Sequence, residues 1–208
     1  MKIGNDLNIF IDRRFLVNSY LLTNEHNCIV IDPGLNDNVI DNFIIKNQLT
    51  LVGIILTHAH YDHIGNSFAL AQKYTVRVYL QQDDKTTIEK YHFANELNMT
   101  PNINYDLIQY FKGNTLTINQ FTFNVLLTKG HTPGGVVLKY HHYVFSGDTV
   151  FYDSIGRTDL SLGNMKEMQQ SLKMFKEYCD DVDWILPGHG INGLWSEIKK
   201  HNPYFKEI

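Results

Sequence analysis

Cysteine is scarce in this sequence of 208 residues, which contains only Cys28 and Cys179. Cys28 lies in an apolar, strand-like run, and Cys179 lies near the end of a helical pattern. Thiols placed in this way are typical of small buried hydrophobic side chains rather than of a disulfide framework. We therefore expect both cysteines to be unpaired, and the protein to work in a reducing, cytoplasmic compartment.

The sequence also lacks a long apolar run and an excess of basic residues. No uninterrupted apolar stretch is long enough to span a bilayer, and polar residues and a glycine interrupt the first ten positions, unlike a secretory signal. The 18 basic and 22 acidic residues give a formal net charge of -4, whereas proteins that bind nucleic acid typically carry a basic excess that neutralises phosphates. We expect neither a membrane nor a nucleic acid as a partner, and the sequence leaves the oligomeric state open.

Histidine, by contrast, is abundant, with ten residues. Hydrophobic residues make up 43% of the chain and charged residues 19%, which is the balance of an ordinary folded protein and excludes extensive disorder. A chain of 208 residues is long enough to bury a core and fits one domain better than two. We expect a single domain over residues 1–208.

The spacing of apolar residues predicts a series of short strands and helices. The strands cover residues 20–23, 28–31, 51–56, 76–80, 116–118, 121–127, 135–140, 143–146 and 184–186. The helices cover residues 38–47, 64–73, 86–95, 166–178 and 194–201. The continuous apolar run at 51–56 is typical of a strand that is buried on both faces. In both halves of the chain strands come first and strand–helix units follow, which predicts two packed sheets with helices outside.

A histidine or an aspartate follows the end of an apolar strand at five places. They are Asp32, the cluster at residues 58–63, His131, Asp148 and His189. Loops at strand ends are where binding groups are usually mounted on a rigid scaffold. We expect these loops to converge and to build a polar pocket at one edge of the sheets.

The cluster at residues 58–63 has the pattern H-x-H-x-D-H. His58 and His60, two positions apart in an extended chain, point to the same side and can reach one metal ion together. The chain then turns, so that Asp62 and His63 face a second point nearby. Imidazole and carboxylate groups suit zinc or another borderline metal.

The cluster is too short to complete two metal sites and needs ligands from elsewhere in the chain. His131, in G-H-T-P-G, offers an imidazole in a tight turn. Asp148, in G-D-T, offers a carboxylate whose two oxygens can bridge two cations. His189 lies between two glycines, which allow the backbone to approach closely.

These motifs, in the order T-H-A-H-Y-D-H, G-H-T-P-G, G-D-T and P-G-H-G, resemble the metallo-β-lactamase superfamily. The resemblance covers nearly the whole chain. It implies an α/β fold, a four-layer αβ/βα sandwich of two mixed β-sheets flanked by helices, with the site at one edge of the sheets.

The resemblance also implies seven metal ligands: three for a first ion, three for a second, and one that bridges both. In that order they are His58, His60 and His131; Asp62, His63 and His189; and Asp148. The implied cofactors are two divalent metal ions, zinc first, with iron or manganese as alternatives. A shared hydroxide would attack a carbonyl carbon, and Asp62 would act in catalysis by accepting its hydrogen bond.

Within the superfamily, the glyoxalase II-like branch, that of hydroxyacylglutathione hydrolases, is the most similar. Residues 147–151 and 156–160 resemble its G-D-T-x-F and G-R-x-D segments. The implied activity is hydrolysis of a small-molecule thioester, S-acylglutathione or a related compound. Two features depart from the branch: Asn66 stands where many relatives have a second glycine, and the sequence ends soon after His189. We therefore expect a single-domain form without the helical domain by which typical glyoxalase II binds glutathione.

Two further residues have open roles. Asp32 matches a strand-end aspartate that supports the metal loops in the family, but it could instead cap the turn at residues 33–34. Arg157 could bind a substrate carboxylate or pair with Asp159. The two histidines at 141 and 142 lie in a predicted hairpin turn, where we expect them to be solvated.

Two other functions share these motifs. A persulfide dioxygenase-like enzyme of the same fold would use a single iron held by His58, His131 and Asp148. A non-catalytic metal-binding protein would keep the ligands without turnover. We do not expect true β-lactamase activity, since the bridging Asp148 does not match that branch, nor RNA cleavage, given the acidic balance.

Overall fold

The computed structural model describes residues 2–4, 6–35, 38–90 and 103–206. Its first sheet has seven strands, hydrogen-bonded in chain order. They are β1 (Lys2–Ile3), β2 (Leu7–Ile11), β3 (Asn18–Asn24), β4 (Asn27–Ile31), β5 (Thr50–Ile55), β6 (Val78–Gln81) and β7 (Ile108–Phe111). Strands β1 to β4 are antiparallel, and β4 to β7 are parallel.

The second sheet has six strands in the order β13-β12-β11-β10-β9-β8. They are β8 (Thr115–Ile118), β9 (Phe121–Leu127), β10 (Val136–Tyr140), β11 (Tyr143–Gly147), β12 (Trp184–Pro187) and β13 (Gly193–Leu194). Strands β8 to β11 form an antiparallel meander, β12 runs parallel to β11, and β13 is antiparallel to β12. Both sheets are therefore mixed.

Helices cover the outer faces of the two sheets. They are α1 (Val39–Lys46), α2 (Tyr61–Ile64), α3 (Ser67–Tyr74), α4 (Lys85–Glu89), α5 (Met165–Tyr178) and α6 (Trp195–His201). Single 3-10 turns lie at Gln82–Asp84, Tyr105–Leu107 and Pro203–Phe205.

Three buried clusters account for this layering. Between the sheets, alternate residues point inward; in β8, for example, Leu116 and Ile118 are buried while Thr115 and Thr117 are exposed. Residues of α1 and α3 pack on the outer face of the first sheet. Residues of α5 and α6 pack on the outer face of the second sheet. The expected four-layer α/β sandwich of two mixed sheets flanked by helices is confirmed.

The helix predicted over residues 64–73 is wrong as a single element, because it is divided into α2 and α3. Gly65 lies between them with φ 30°, and a Cβ there would collide with the main-chain carbonyl of Gly34. The N–H of Asn66 donates to that carbonyl at 2.7 Å. The turn therefore docks against the Gly34 loop, a contact far away in sequence that periodicity does not report.

Other boundaries differ in smaller ways. The strand predicted at 76–80 begins at Val78. Of the helix predicted at 86–95, α4 covers the first part, and residues 91–95 lie outside the described residues, as does the loop expected near Pro101. Strands β2 and β7 were not predicted, because Asn8 and Gln109 interrupt their apolar residues.

Two smaller expectations, on the cysteines and on the histidines of the hairpin turn, are confirmed. Cys28 and Cys179 are free and buried, and burial raises the pKa of the Cys28 thiol to about 12. His141 and His142 are exposed in the turn between β10 and β11. Among the described residues, no helix combines the length and apolar character needed to cross a bilayer.

Candidate metal centre

The five predicted loops meet at one end of the two sheets. They follow β4, β5, β9, β11 and β12, and so come from both sheets. The N–H of Asn18 in the first sheet donates to the carbonyl of Gly188 in the second at 2.7 Å, and Val17 forms a β-bridge with His189. The sheets are thus joined beside the site. All seven proposed ligands are brought together here, as the distances below show.

The first cluster consists of His58, His60 and His131. One ring nitrogen from each lies within 4.8 Å of the other two. The shortest separation joins His60 Nδ1 and His131 Nε2 at 2.8 Å. His58 and His131 are buried, at 2% and 5% exposure, so these nitrogens face an interior that excludes most water. Three imidazoles in this arrangement can hold one cation.

The second cluster consists of Asp62, His63 and His189. Their ligating atoms also lie within 4.8 Å of one another. His189 Nε2 is 3.4 Å from both His63 Nε2 and Asp62 Oδ2. His63 is fully buried, whereas Asp62 and His189 face the solvent side. This cluster offers two imidazoles and a carboxylate, a second set of donors for a borderline divalent metal.

Asp148 touches both clusters. Its Oδ2 lies 3.3 Å from His131 Nε2 and 3.6 Å from His189 Nε2. Its Oδ1 lies 3.3 Å from His63 Nε2. One carboxylate therefore lies between the two sets of donors, as a bridging ligand must.

A buried ring nitrogen without a partner tests whether a metal fits. His58 Nε2 forms no hydrogen bond within the described part of the chain. The Thr57 hydroxyl donates its hydrogen to Asp32 Oδ2 at 2.6 Å, so it accepts from His58 Nδ1, 3.1 Å away. The lone pair of His58 is therefore on Nε2, directed into the first cluster. An unmatched buried acceptor is costly, and a cation would satisfy it, so the donors fit a divalent metal.

Asp32 lies behind the clusters. Its Oδ1 accepts from the N–H of Thr57 at 2.8 Å, and its Oδ2 lies 2.9 Å from His63 Nδ1. Asp32 also lies within 4.8 Å of donors on His58 and His63. Because both of its oxygens are already engaged, we assign it to orienting ligands rather than to binding an ion. These contacts favour support of the metal loops, the first of the two roles that the sequence left open for Asp32.

Burial keeps two histidines of the first cluster neutral. Burial, together with the neighbouring His131, lowers the pKa of His60 to about 3. Burial also lowers the pKa of His58 well below its ordinary value, with His63 adding to the effect. Neutral imidazoles keep the lone pairs that a cation needs.

The carboxylates are held ionised. Burial opposes the charge on Asp148, but the adjacent His63 outweighs it and holds the pKa of Asp148 well below its usual range. For Asp62 too, burial opposes the charge and the adjacent His63 outweighs it, so the pKa of Asp62 is lowered. Burial likewise opposes a charge on His63, yet Asp148 and Asp32 raise its pKa. Without a metal, His63 is therefore protonated and balances part of the carboxylate charge, and a cation that binds to its ring nitrogen would replace that proton.

Arg157 does not join the clusters through its side chain. Its guanidinium pairs with Asp159, with Nε 2.9 Å from Oδ1 and the second nitrogen 3.0 Å from Oδ2. Both side chains are exposed. Of the two roles left open by the sequence, the pairing with Asp159 is the one that the structure shows, although Arg157 also borders the pocket.

Sequence reasoning missed three supporting groups. Thr57 directly precedes the histidines, and its place in the motif could have indicated it. The main-chain carbonyl of Arg157 accepts a hydrogen bond from His131 Nδ1 at 2.7 Å, for which the sequence carries no signal. Asp84, just after β6, contacts the main chain of two ligand loops. The search for aspartates at strand ends would have found it.

A pocket of about 400 Å³ opens above the clusters. Asp62, Asp148 and His189 lie at its base, and most of its wall is apolar. The apolar lining residues are Phe15, Tyr61, Phe151, Leu160 and Leu162. The rings of Phe15 and Tyr61 pack edge to face, with centroids 5.0 Å apart. The pocket is suited to a small molecule with an apolar part.

Comparison with known families decides the classification. A model of the metallo-beta-lactamase superfamily matches residues 12–189. The chain belongs to the metallo-beta-lactamase superfamily. This is a superfamily of metal-dependent hydrolases whose fold binds divalent metals, and the recognition made from the motifs is confirmed.

Individual members of the superfamily are similar over most of their length. A probable metallo-hydrolase, YqgX of Bacillus subtilis, is 33% identical over 180 residues, covering 83% of this chain and 84% of that protein. The hydroxyacylglutathione hydrolase GloC of Haemophilus influenzae is 30% identical over 192 residues, covering 89% and 91%. The crystal structure of the B3 metallo-beta-lactamase BLEG-1 has a TM-score of 0.87 at 30% identity, covering 96% and 99%.

Proposed function

We propose that this protein hydrolyses a small-molecule thioester, using two divalent metal ions, zinc above iron or manganese. The observation that carries the proposal is the pair of donor clusters that share Asp148 at the base of an apolar pocket. The similarity to a hydroxyacylglutathione hydrolase supports the thioester as substrate. The two buried, unpaired cysteines favour a reducing, cytoplasmic location.

The seven side chains divide between the ions as the clusters do. His58, His60 and His131 would hold the first ion, and Asp62, His63 and His189 would hold the second. Asp148 reaches both. When bound, the two ions supply a hydroxide nucleophile at neutral pH and stabilise the negative charge that develops on the carbonyl oxygen.

Asp62 is the catalytic carboxylate of the proposal. It lies at the base of the pocket and its pKa is lowered beside His63, so it is ionised and can accept a hydrogen bond from the attacking oxygen and direct it. His63 is in turn fixed by Asp32 at 2.9 Å, so the base of the pocket is rigid. Rigid placement of the attacking group is a large part of such catalysis.

The charges on the two carboxylates of the pocket favour a leaving group that needs no proton. Asp62 and Asp148 have lowered pKa values, so neither carries a proton to give to a poor leaving group. A thiolate departs without protonation, whereas an amine does not. The apolar wall, including Phe151 and Leu160, would hold the acyl group.

Metal analysis of the purified protein, run beside an assay with S-lactoylglutathione and simple acyl thioesters, tests the proposal. We expect bound divalent metal and turnover that a chelator abolishes. A single iron per chain with oxygen uptake on glutathione persulfide would identify the dioxygenase-like activity instead. Bound metal without turnover of thioesters, lactones or phosphodiesters would identify a non-catalytic metal-binding protein.

Hydrolysis of β-lactams is the second candidate. It is favoured by the similarity to the BLEG-1 β-lactamase over 99% of that chain. The carboxylate of Asp148 between the clusters argues against it, because the sequence motif around it matches the glyoxalase II-like branch. Including a chromogenic cephalosporin in the assay decides between them: we expect the thioester to be hydrolysed faster, and the reverse order would replace the proposal.

A further inference from the structure

A buried carboxylate outside the two clusters joins two of the loops that carry them. Asp84, at the end of the 3-10 turn after β6, is fully buried at 0% exposure. Its Oδ2 accepts a hydrogen bond from the N–H of Ala59 at 2.5 Å. Its Oδ1 accepts from the N–H of Gly134 at 2.9 Å. Ala59 lies between His58 and His60, so Asp84 holds the main chain of that histidine pair.

Gly134 belongs to the other loop, three positions after His131. A Cβ at Gly134 would collide with the main-chain nitrogen and the Cβ of Asp84. The loop can therefore reach Asp84 only because this position is glycine. Thr87 of α4 donates a third hydrogen bond to Asp84 Oδ1 at 2.8 Å. Asp84 thus fastens three segments from different parts of the chain.

Three hydrogen-bond donors reach the one buried carboxylate of Asp84, and this arrangement needs a physical reason. Burial raises the pKa of this carboxyl above its ordinary value, even though Thr132, Thr87, Gly134 and Ala59 act to lower it. A buried charged or polar residue is retained where it satisfies groups that the secondary structure leaves unpaired. The two main-chain N–H groups lie in loops at the ends of β5 and β9, beyond the strand ladders.

We propose that Asp84 is a positioning residue, which sets the spacing between the His58–His60 loop and the His131 loop and so keeps the first cluster ready for a cation. The inference rests on the proposed function, since it requires those histidines to bind metal. The two loops come from opposite sheets, and the cluster needs His60 Nδ1 and His131 Nε2, which lie 2.8 Å apart, to stay close together. One carboxylate with both oxygens engaged fixes the two main chains together.

The substitution Asp84→Asn tests this with little change of volume. One carboxylate oxygen becomes an NH₂ donor, which then faces the N–H of Ala59 or of Gly134. The sheets remain joined near the site, because the N–H of Val136 still donates to the carbonyl of Thr57 at 2.9 Å. We expect zinc to bind roughly 10- to 100-fold more weakly, the range typical for groups that orient metal ligands. We also expect the visible absorption spectrum of the cobalt-loaded protein to change.

Asp183→Asn is the matched control. Asp183 is also buried, at 2% exposure, and its Oδ2 accepts from the N–H of Asp180 at 2.8 Å and from Lys139 Nζ at 2.7 Å. It lies at the end of β12 away from His189. We expect this variant to keep the zinc affinity and the cobalt spectrum of the unchanged protein, whatever its melting temperature. Chelator competition measures the affinity, at a temperature where circular dichroism shows the metal-free variants to be folded.

The outcomes separate the two proposals. If the unchanged protein binds no zinc, the proposed function fails. If it binds zinc and Asp84→Asn matches it in affinity and spectrum, or if Asp183→Asn weakens binding equally, the role of Asp84 is overturned alone. Should Asp84→Asn not fold, Gly134→Ala displaces Asp84 from the other side. Unchanged zinc affinity in that variant would also overturn the inference.

Discussion

Two histidines of the first cluster, His58 and His131, present one ring nitrogen to the centre because the other is already engaged. A carbonyl can only accept, so the contact between Arg157 and His131 Nδ1 places the ring hydrogen there and leaves Nε2 with its lone pair. The Thr57 hydroxyl sets His58 in the same way. Individual hydrogen bonds thus determine which ring nitrogen of each histidine is available to a cation.

The hydroxyl of Thr57 is therefore open to a direct test. Thr57→Val keeps the shape but removes the hydrogen bonds to Asp32 Oδ2 and His58 Nδ1, at 2.6 and 3.1 Å. Free to turn and to move its ring hydrogen, His58 should lose affinity for metal by roughly tenfold. Zinc titration against a competing chelator measures the change. An affinity equal to that of the unchanged protein would show that the tautomer of His58 is set by something else.

Asp148 is the residue on which the pairing of the two clusters depends. Asp148→Ala removes the carboxylate that lies within 3.6 Å of His131 and His189, so we expect loss of metal and of hydrolysis with the fold retained. Metal analysis, an activity assay and circular dichroism measure these together. Asp159→Ala, which removes an exposed carboxylate, is the control and should keep its metal. Full activity in Asp148→Ala would defeat the two-metal mechanism.

The seven residues of the centre could be predicted from the sequence, but the groups that hydrogen-bond to them and hold their loops in place could not. The ligands are histidines and aspartates in short ordered motifs, so their residue types alone indicate metal binding. The support for His131 is a main-chain carbonyl, which every residue carries and which only the path of the loop selects. The carboxylate of Asp84 is visible in the sequence, but its partners are main-chain N–H groups 25 and 50 positions away, which the sequence does not identify.

At the scale of elements, the turn between α2 and α3 shows why boundaries were harder to predict. Gly65→Ala places a methyl group against the carbonyl of Gly34. We expect a loss of roughly 1–3 kcal/mol of unfolding free energy from that collision, beyond the cost of a positive φ. Gly113→Ala is the control, because Gly113 has φ 97° and nothing within 4 Å of the added carbon.

Urea unfolding of both metal-free variants separates strain from collision. Gly113→Ala should lose only the backbone contribution, about 1 kcal/mol. Equal losses in the two variants would mean that the Gly34 loop moves aside without cost, and that its contact does not divide the helix.

Helices α1 and α3 are joined by Asp41, which accepts hydrogen bonds from Lys73 Nζ at 2.6 Å and Tyr74 at 2.7 Å. The bond from Lys73 lowers the pKa of Asp41, with burial opposing it. A lowered folded-state pKa stabilises the protein above the unfolded-state value, about 3.9, and this stabilisation is lost as the pH falls through the folded-state value. Solvent screens Lys73, so no more than about 1 kcal/mol is expected.

Asp41→Asn should therefore be less stable than the unchanged protein at pH 7, and the difference should shrink as the pH falls below about 3.9. Chemical unfolding across this range, with a chelator present, measures it. A difference that stays constant with pH would show that packing of the side chain, and not its charge, joins the helices.

The elements that were predicted well are those with one clear period. In α5, Met168, Leu172 and Phe175 are buried at helical spacing, and the helix begins within one residue of its predicted start. Strands β2 and β7 were missed because polar residues alternate with their apolar ones and the pattern is short. Their pairing with β3 and β6 fixes them as strands, and pairing is a property of the whole sheet.

At the scale of the molecule, the site exists because two sheets meet along one edge. The first sheet brings residues 58–63, and the second brings His131, Asp148 and His189. The buried layer between the sheets is built from alternating apolar residues, so the order of layers could be predicted from the sequence. The distances between the loops could not, because they depend on contacts across the edge, such as Asn18 with Gly188.

The number of metal ions bound per chain is the most direct test of the central claim. Native mass spectrometry of the protein loaded with zinc and then desalted reports this number without reference to any substrate. The arrangement of two donor clusters around Asp148 predicts two ions per chain. In His189→Ala, the ion held by the second cluster should be lost first. A protein that binds one ion or none at saturating zinc, or that keeps two after Asp148→Ala, would contradict it.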